Sequence, residues 1–219
     1  MQEFEHELFK LGVPVKTRHN EVAPSQYETA PIFDLVSVAT DRNQLTMEML
    51  KQVAKRHNLT FLVHEKPFAG INGSGMHTHQ SLWREGKNAF AEASDEYGLS
   101  GVAKQFIAGQ LKHARAMSAI IAPLVNSYKR LVPGYEAPVY LSWSRTNRSS
   151  LVRVPRLSPN RTQAVRAELR EETSEGPRFW QDSLRVDCEL LETVQAGPLT
   201  PERVGQLADE YVRTGDARK

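Results

Sequence analysis

A single cysteine, Cys188, rules out an internal disulfide, so the fold rests on packing alone and suits a reducing compartment. No apolar run approaches the roughly 20 residues that a membrane-spanning helix requires. The N-terminus carries no signal-peptide pattern, and the expected location is cytoplasmic, with no membrane partner. Net charge is also scarce. The 28 basic and 26 acidic side chains leave +2, too little of one sign to argue for nucleic acid. What remains is an ordinary globular composition, 40% hydrophobic and 25% charged, with enough apolar residues for a core. At 219 residues it fits one domain of generous size, or one and a fraction.

The most informative stretch runs from Asn72 to Trp83 and reads Asn-Gly-Ser-Gly-Met-His-Thr-His-Gln-Ser-Leu-Trp. Strand alternation puts His77, His79 and Ser81 on one face and Met76, Thr78, Gln80 and Leu82 on the other. Two imidazoles and a hydroxyl in a row suit a metal or a phosphate better than a core. The glycines ahead of them let the backbone approach a ligand. The bland alternative is a partly exposed strand with two incidental histidines.

In chain order, residues 2–11 read as an amphipathic helix with Phe4, Leu8 and Leu11 on one side and Gly12 as its C-cap. Residues 15–22 and 26–32 read as a hairpin around Ala23-Pro24-Ser25, with Glu21 opposite Glu28. Two facing carboxylates repel unless a cation lies between them; the alternative is a solvated hairpin with screened charges. Residues 41–57 form a helical pattern with Leu45, Met49, Val53 and Ala54 on one stripe, opened by an Asp41–Gln44 capping box. Residues 60–64 read as a buried-type strand and residues 84–96 as a surface loop or ragged hairpin. Residues 99–121 form the longest helix, with Val102, Phe106, Ala108-Gly109 and Leu111 inward and Pro123 ending it.

Residues 126–138 then form a constrained loop in which prolines and glycine flank Tyr135-Glu136. Strands follow at 139–144, 151–155 and 164–170. Arginines at 130, 145, 148, 153, 166 and 170 accumulate here. Guanidinium groups bind carboxylates and phosphates bidentately, so the cluster fits a polyanionic ligand, unless it is simply a solvated basic face.

Four strings carry a resemblance: residues 19–28, 66–83, 126–138 and 147–153. Over about residues 10–170 the chain resembles the catalytic domain of glutamine synthetase, the ATP-dependent glutamate–ammonia ligase. The resemblance implies an α+β fold: a curved, largely antiparallel sheet with helices on its convex face. Its concave face should carry Glu21, Glu28, His77, Arg153 and Glu168.

By the same resemblance, Glu21, Glu28, His77 and Glu168 are ligands of Mg²⁺ or Mn²⁺. His79 and Ser81 contact the nucleotide. Arg148, Arg153 and Arg166 face phosphate, and Asn72, Gly73, Arg130 and Arg170 hold glutamate, with Arg148 also near the substrate. Glu136 is the flap carboxylate that closes the site and helps deprotonate ammonium, and Glu136 and Arg148 are the catalytic candidates. The implied partners are glutamate, ammonium and ATP, within a homo-oligomer in the full-length family.

The family is about twice this long. The expectation is therefore a chain without the N-terminal β-grasp part and its Glu-x-Glu metal ligands, slow or inactive in forming glutamine alone. After Arg170 the family's Pro-Asp-Pro run is replaced by Glu171-Glu172-Thr173-Ser174-Glu175-Gly176-Pro177. Residues 171–219 are expected to be a divergent, mostly helical tail on the 1–170 domain, with helices at 179–194 and 201–212. Competing readings are a noncatalytic relative that binds nucleotide, metal or a subunit, and a γ-glutamyl-amine ligase. A cupin-type site would leave the arginines without a task.

Overall fold

The computed structural model describes residues 1–135, 137–156 and 162–170. It divides between Ser74 and Gly75 into two compact units.

In the first unit, helix α1 (Gln2–Lys10) buries Phe4 and Leu8, four residues apart and therefore on one face. Glu3 and Glu5 in its first turn and Lys10 in its last complement the helix dipole. Gly12, at φ 73°, turns the chain away as the sequence predicts. Strand β1 (Val15–Asn20) then pairs antiparallel with β2 (Tyr27–Pro31).

Helix α2 (Val36–Arg56) starts five residues before the predicted Asp41. The β-branched Val36 and Val38 hide this first turn from a propensity reading. Asp34 secures it by accepting from Leu35 N at 2.8 Å and from Arg42 Nη1 at 2.6 Å. The inward row of α2 contains Met47 and Val53, whereas Leu45, expected inside, is 43% exposed. Phe4, Leu8, Val13, Val15 and Val53 form the small core that joins α1 to α2. The strand expected at 60–64 does not form. Ser74 N donating to Glu65 O at 2.8 Å fixes the end of that segment instead of a ladder.

The second unit is built on a four-stranded sheet in the order β3 (Thr78–Gln80), β8 (Ala167–Leu169), β7 (Ser150–Arg153), β6 (Tyr140–Ser144). The β3–β8 and β8–β7 pairs are antiparallel, while β7–β6 is parallel. The sheet is thus mixed, and β1–β2 is a separate ladder from it. The predicted single sheet resolves into these two.

A short hairpin, β4 (Trp83–Arg84) and β5 (Lys87–Asn88), turns on Glu85 and Gly86, both at positive φ. Two positive-φ residues match the hand of strand twist.

Helix α3 (Gly101–Ile121) packs against β6 and β7. Ser100 caps it, its Oγ accepting from Ala103 N at 3.1 Å and donating to Ala89 O at 2.6 Å. Its buried row is Ala103, Ile107, Gln110, Ala114 and Ile121, one residue round from the predicted face, and Val102 is 45% exposed. The polar Gln110 and two small alanines disguised that row. Gln110 Nε2 donates to Gln80 Oε1 at 2.6 Å, which locks α3 to the back of β3. Phe90, Leu99, Ile107, Leu151, Val152, Ala167 and Leu169 supply most of the core between helix and sheet. Each such large aliphatic or aromatic side chain contributes about 1.5–3 kcal/mol on burial. Helix α4 (Val125–Arg130) follows α3 and ends on the buried Arg130.

Candidate functional site

The hairpin of the first unit closes differently from the sequence expectation. Glu28 stands opposite His19, not Glu21, and Asn20 stands opposite Tyr27. Glu21 N donates to Gln26 O at 2.9 Å, so the turn is Glu21 to Gln26, held by Ser25 at φ 59°. The expected register is displaced by two residues, which leaves every side chain on its original face. Glu21 and Glu28 therefore still converge, diagonally, with His19 between them. His19 Nε2 lies 2.8 Å from Glu21 Oε1 and 3.4 Å from Glu28 Oε2.

One ligand atom from each of the three lies within 4.8 Å of the others. This is the only such group among the described residues, and its donor set, one imidazole and two carboxylates, fits a divalent cation. Gln26 ties the hairpin tip to the glycine-rich loop, its Nε2 donating to Gly73 O at 3.0 Å and Ser74 Oγ at 2.9 Å. Asn72 and Gly73, both half-buried, stand on that loop.

In the second unit, the sheet register assembles a constellation around Glu168. On β8, Glu168 faces His79 of β3 on one side and Arg153 of β7 on the other. Its side chain is fully buried. Arg153 Nε donates to Oε2 at 2.7 Å, and His77 Nδ1 lies 3.2 Å from Oε1. Arg170 Nε stands 3.6 Å from Oε1, and His79 Nδ1 stands 3.9 Å from Oε2. Burial pushes the Glu168 carboxyl up, but the hydrogen bonds from His77 and Arg153 and the charges of His79 and Arg153 outweigh it. The net result is a carboxyl held down at about 2.

Both imidazoles are held below their ordinary range, chiefly by burial. His79 is lowered to about 4, with Glu168 opposing and Arg166 reinforcing the shift; His77 is lowered despite its bond with Glu168. Arg166 Nε donates to His79 Nδ1 at 2.9 Å. A guanidinium only donates, so His79 accepts at Nδ1 and carries its proton on Nε2.

The predicted histidine face is therefore present: His77 and His79 both reach Glu168, while Gln80 turns away to α3. Ser81 accepts from Trp83 Nε1 at 3.0 Å. Arg130, only 5% exposed, lies against Gly75, where any Cβ would overlap its guanidinium. Its Nη1 donates to Arg170 O at 3.5 Å, and Arg170 in turn donates to Arg148 O. Arg153, expected to face phosphate, is engaged by Glu168. Arg145 stacks over Tyr97, 5.7 Å from the ring centre. Glu136 and the tail from 171 onward lie outside the described residues.

For a cation, Glu168 Oε1 is a buried carboxylate oxygen with the His77 imidazole nitrogen 3.2 Å away, a fitting donor pair. The guanidiniums of Arg153 and Arg170 offset the negative charge of Glu168. Sequence reasoning missed His19 as a member of the hairpin group. Its signal was present, since His19 and Glu21 alternate onto one strand face.

Residues 1–176 match the family described as "Glutamine synthetase, catalytic domain". The chain is 48% identical over 163 residues to a glutamine synthetase of Thermotoga maritima, an alignment covering 74% of this chain and 36% of that relative. It is 45% identical, with the same coverage, to one of Thermus thermophilus. It thus spans little more than a third of the length of these curated relatives. Among solved structures, a cryo-electron-microscopy structure of Plasmodium falciparum glutamine synthetase matches with a TM-score of 0.78 and 28% identity. That match covers 91% of this chain and 39% of the other.

Proposed function

We propose a function from one premise: the chain belongs to the glutamine synthetase family, through its catalytic domain. The proposed activity is ATP-dependent ligation of ammonia to glutamate. Glutamate's γ-carboxylate attacks the terminal phosphate of ATP, forming γ-glutamyl phosphate and ADP, and ammonia then displaces the phosphate. A bound Mg²⁺ or Mn²⁺ supplies charge neutralisation of the nucleotide phosphates. Glu21 and Glu28 would hold one such ion, and His77 and Glu168 another.

The chain's own groups do the rest by position and charge. His79 offers an Nε2–H donor to the nucleotide, because Arg166 occupies its other nitrogen. Ser81 is the second nucleotide contact. Arg148, Arg153 and Arg166 supply positive charge for phosphate, and Arg130 and Arg170 supply it for glutamate's carboxylates. Asn72 and Gly73 keep the glutamate-binding role that the resemblance implies, and Glu136 that of the flap carboxylate.

The observation that carries this reading is the ring of His77, His79, Arg153 and Arg170 around a buried, ionised Glu168. Calorimetry of Mn²⁺ with ADP on the wild type and on His77→Ala tests it. Weaker binding in the variant is expected, and equal metal affinity in the two would refute the assignment. Phosphate and glutamine release, followed together, then separate ligation from idle hydrolysis. Ligation predicts glutamine in step with phosphate.

A further inference from the structure

We propose that His19 is a third protein ligand in the hairpin cation site, and that its imidazole makes this site favour first-row transition ions such as Mn²⁺ and Co²⁺ over Mg²⁺. The inference rests on the proposed function only in taking Glu21 and Glu28 as cation ligands. The imidazole is the addition.

Spacing makes the case. Donors bound to one ion at about 2.0–2.2 Å, at right angles, stand about 3 Å from one another. His19 Nε2 stands 2.8 Å from one carboxylate oxygen and 3.4 Å from the other. Those separations, the first a hydrogen bond, would bring all three donors within reach of a single ion once it replaced the ring proton. A single ring N–H can make one good hydrogen bond, not two diverging ones, so an imidazole proton alone satisfies this arrangement poorly.

The backbone also holds the arrangement. His19 is fixed opposite Glu28 by the ladder, and Glu21 is fixed by its bond to Gln26 at the turn. Gln26 is anchored in its turn to Gly73 and Ser74, so the three donors sit on a braced hairpin. All three remain partly open to solvent, which leaves room for water or a nucleotide oxygen in the other positions.

Selectivity follows from the donor type. Mg²⁺ gains little from replacing a water by imidazole nitrogen, because it is a hard ion that dehydrates reluctantly. Mn²⁺, and more so Co²⁺, bind nitrogen with rising affinity along the first row. A site of two carboxylates alone would rank these ions less steeply.

The test uses the full chain, with Mn²⁺, Co²⁺ and Mg²⁺ as probes in the His77→Ala background, which removes the other candidate imidazole ligand. Pulsed electron paramagnetic resonance of bound Mn²⁺ should show nitrogen modulation that His19→Gln abolishes. Mn²⁺ and Co²⁺ affinity should fall on the order of tenfold in His19→Gln, with Mg²⁺ affinity changing far less. Retained Mg²⁺ binding and an unchanged circular dichroism spectrum show that the variant is folded, and His19→Asn serves as a second variant if Gln disturbs the hairpin. Absent nitrogen modulation in the parent, or equal losses for all three ions, would overturn the role of His19. Glu28→Gln separates the two claims: if it leaves all three affinities unchanged, the hairpin cation reading itself fails.

Discussion

In Glu168→Gln the side chain keeps its size and hydrogen-bonding shape but loses the charge that Arg153, Arg170, His77 and His79 surround. The native carboxyl is depressed from 4.5 to about 2. A depressed carboxyl stabilises the folded state fully above its unfolded value and ceases to do so as pH falls through its folded value. That depression corresponds to about 3 kcal/mol at neutral pH, of which about 1 kcal/mol is gone by pH 3.5 and most by pH 2. The substitution should therefore cost about 3 kcal/mol at pH 7 and distinctly less at pH 3.5. Urea unfolding of both proteins at pH 7, 5 and 3.5, followed by tryptophan fluorescence, measures the gap. Other carboxylates titrate in the same window, but they do so in both proteins and drop out of the difference. A gap of the same size at all three pH values, or no gap at pH 7, would refute the account of Glu168 as a stabilising buried charge.

Gly75→Ala should displace the Arg130 guanidinium and destabilise the protein by about 1–3 kcal/mol, as overpacking does; an unchanged thermal midpoint would show that the arginine moves freely. Ser100→Ala removes both the cap to Ala103 N and the bond to Ala89 O, and chemical denaturation should register a loss of about 1 kcal/mol. In nitrogen-15 spectra His79 should stay neutral, with its proton on Nε2, until pH falls to about 4. Arg166→Ala should mix its tautomers and raise that value, while a single unchanged tautomer would mean that Arg166 does not set it.

Elements whose periodicity was carried by large apolar side chains were legible from the sequence. Helix α1 with Phe4 and Leu8 is an example. The face of α3 was not, because the residues that touch the sheet are Ala103, Ala114 and Gln110, which a hydrophobicity reading passes over. The start of α2 was hidden by valines and secured by Asp34 with Arg42, an ion pair eight residues apart. At the site, alternation placed His77 and His79 on one face without reference to their partners. It had no access to β8 lying between β3 and β7, which brings Glu168 to both histidines and to Arg153. The hairpin register depended on where the turn closed. Proline in Ala23-Pro24-Ser25 marked the bend but not that Glu21 and Gln26 would be its closing pair.

The order of strands in the sheet also has a consequence for how the protein is made. The hairpin that holds His19, Glu21 and Glu28 pairs neighbouring strands, so its ladder can form early, before Gly73 and Ser74 arrive to anchor Gln26. Strand β3 has no such neighbour at hand: its partner β8 begins just after Arg166, which lies 87 residues further along than His79. Until that late segment is synthesised, β3 presents an open edge, and at about 5–20 residues per second the wait lasts several seconds. Long-range closure of this kind is slow by its entropy as well as by its timing. The hairpin donor group is thus assembled early, and the Glu168 group is among the last parts of the described chain to form. A chain released or cleaved before Ala167 would carry the first and lack the second.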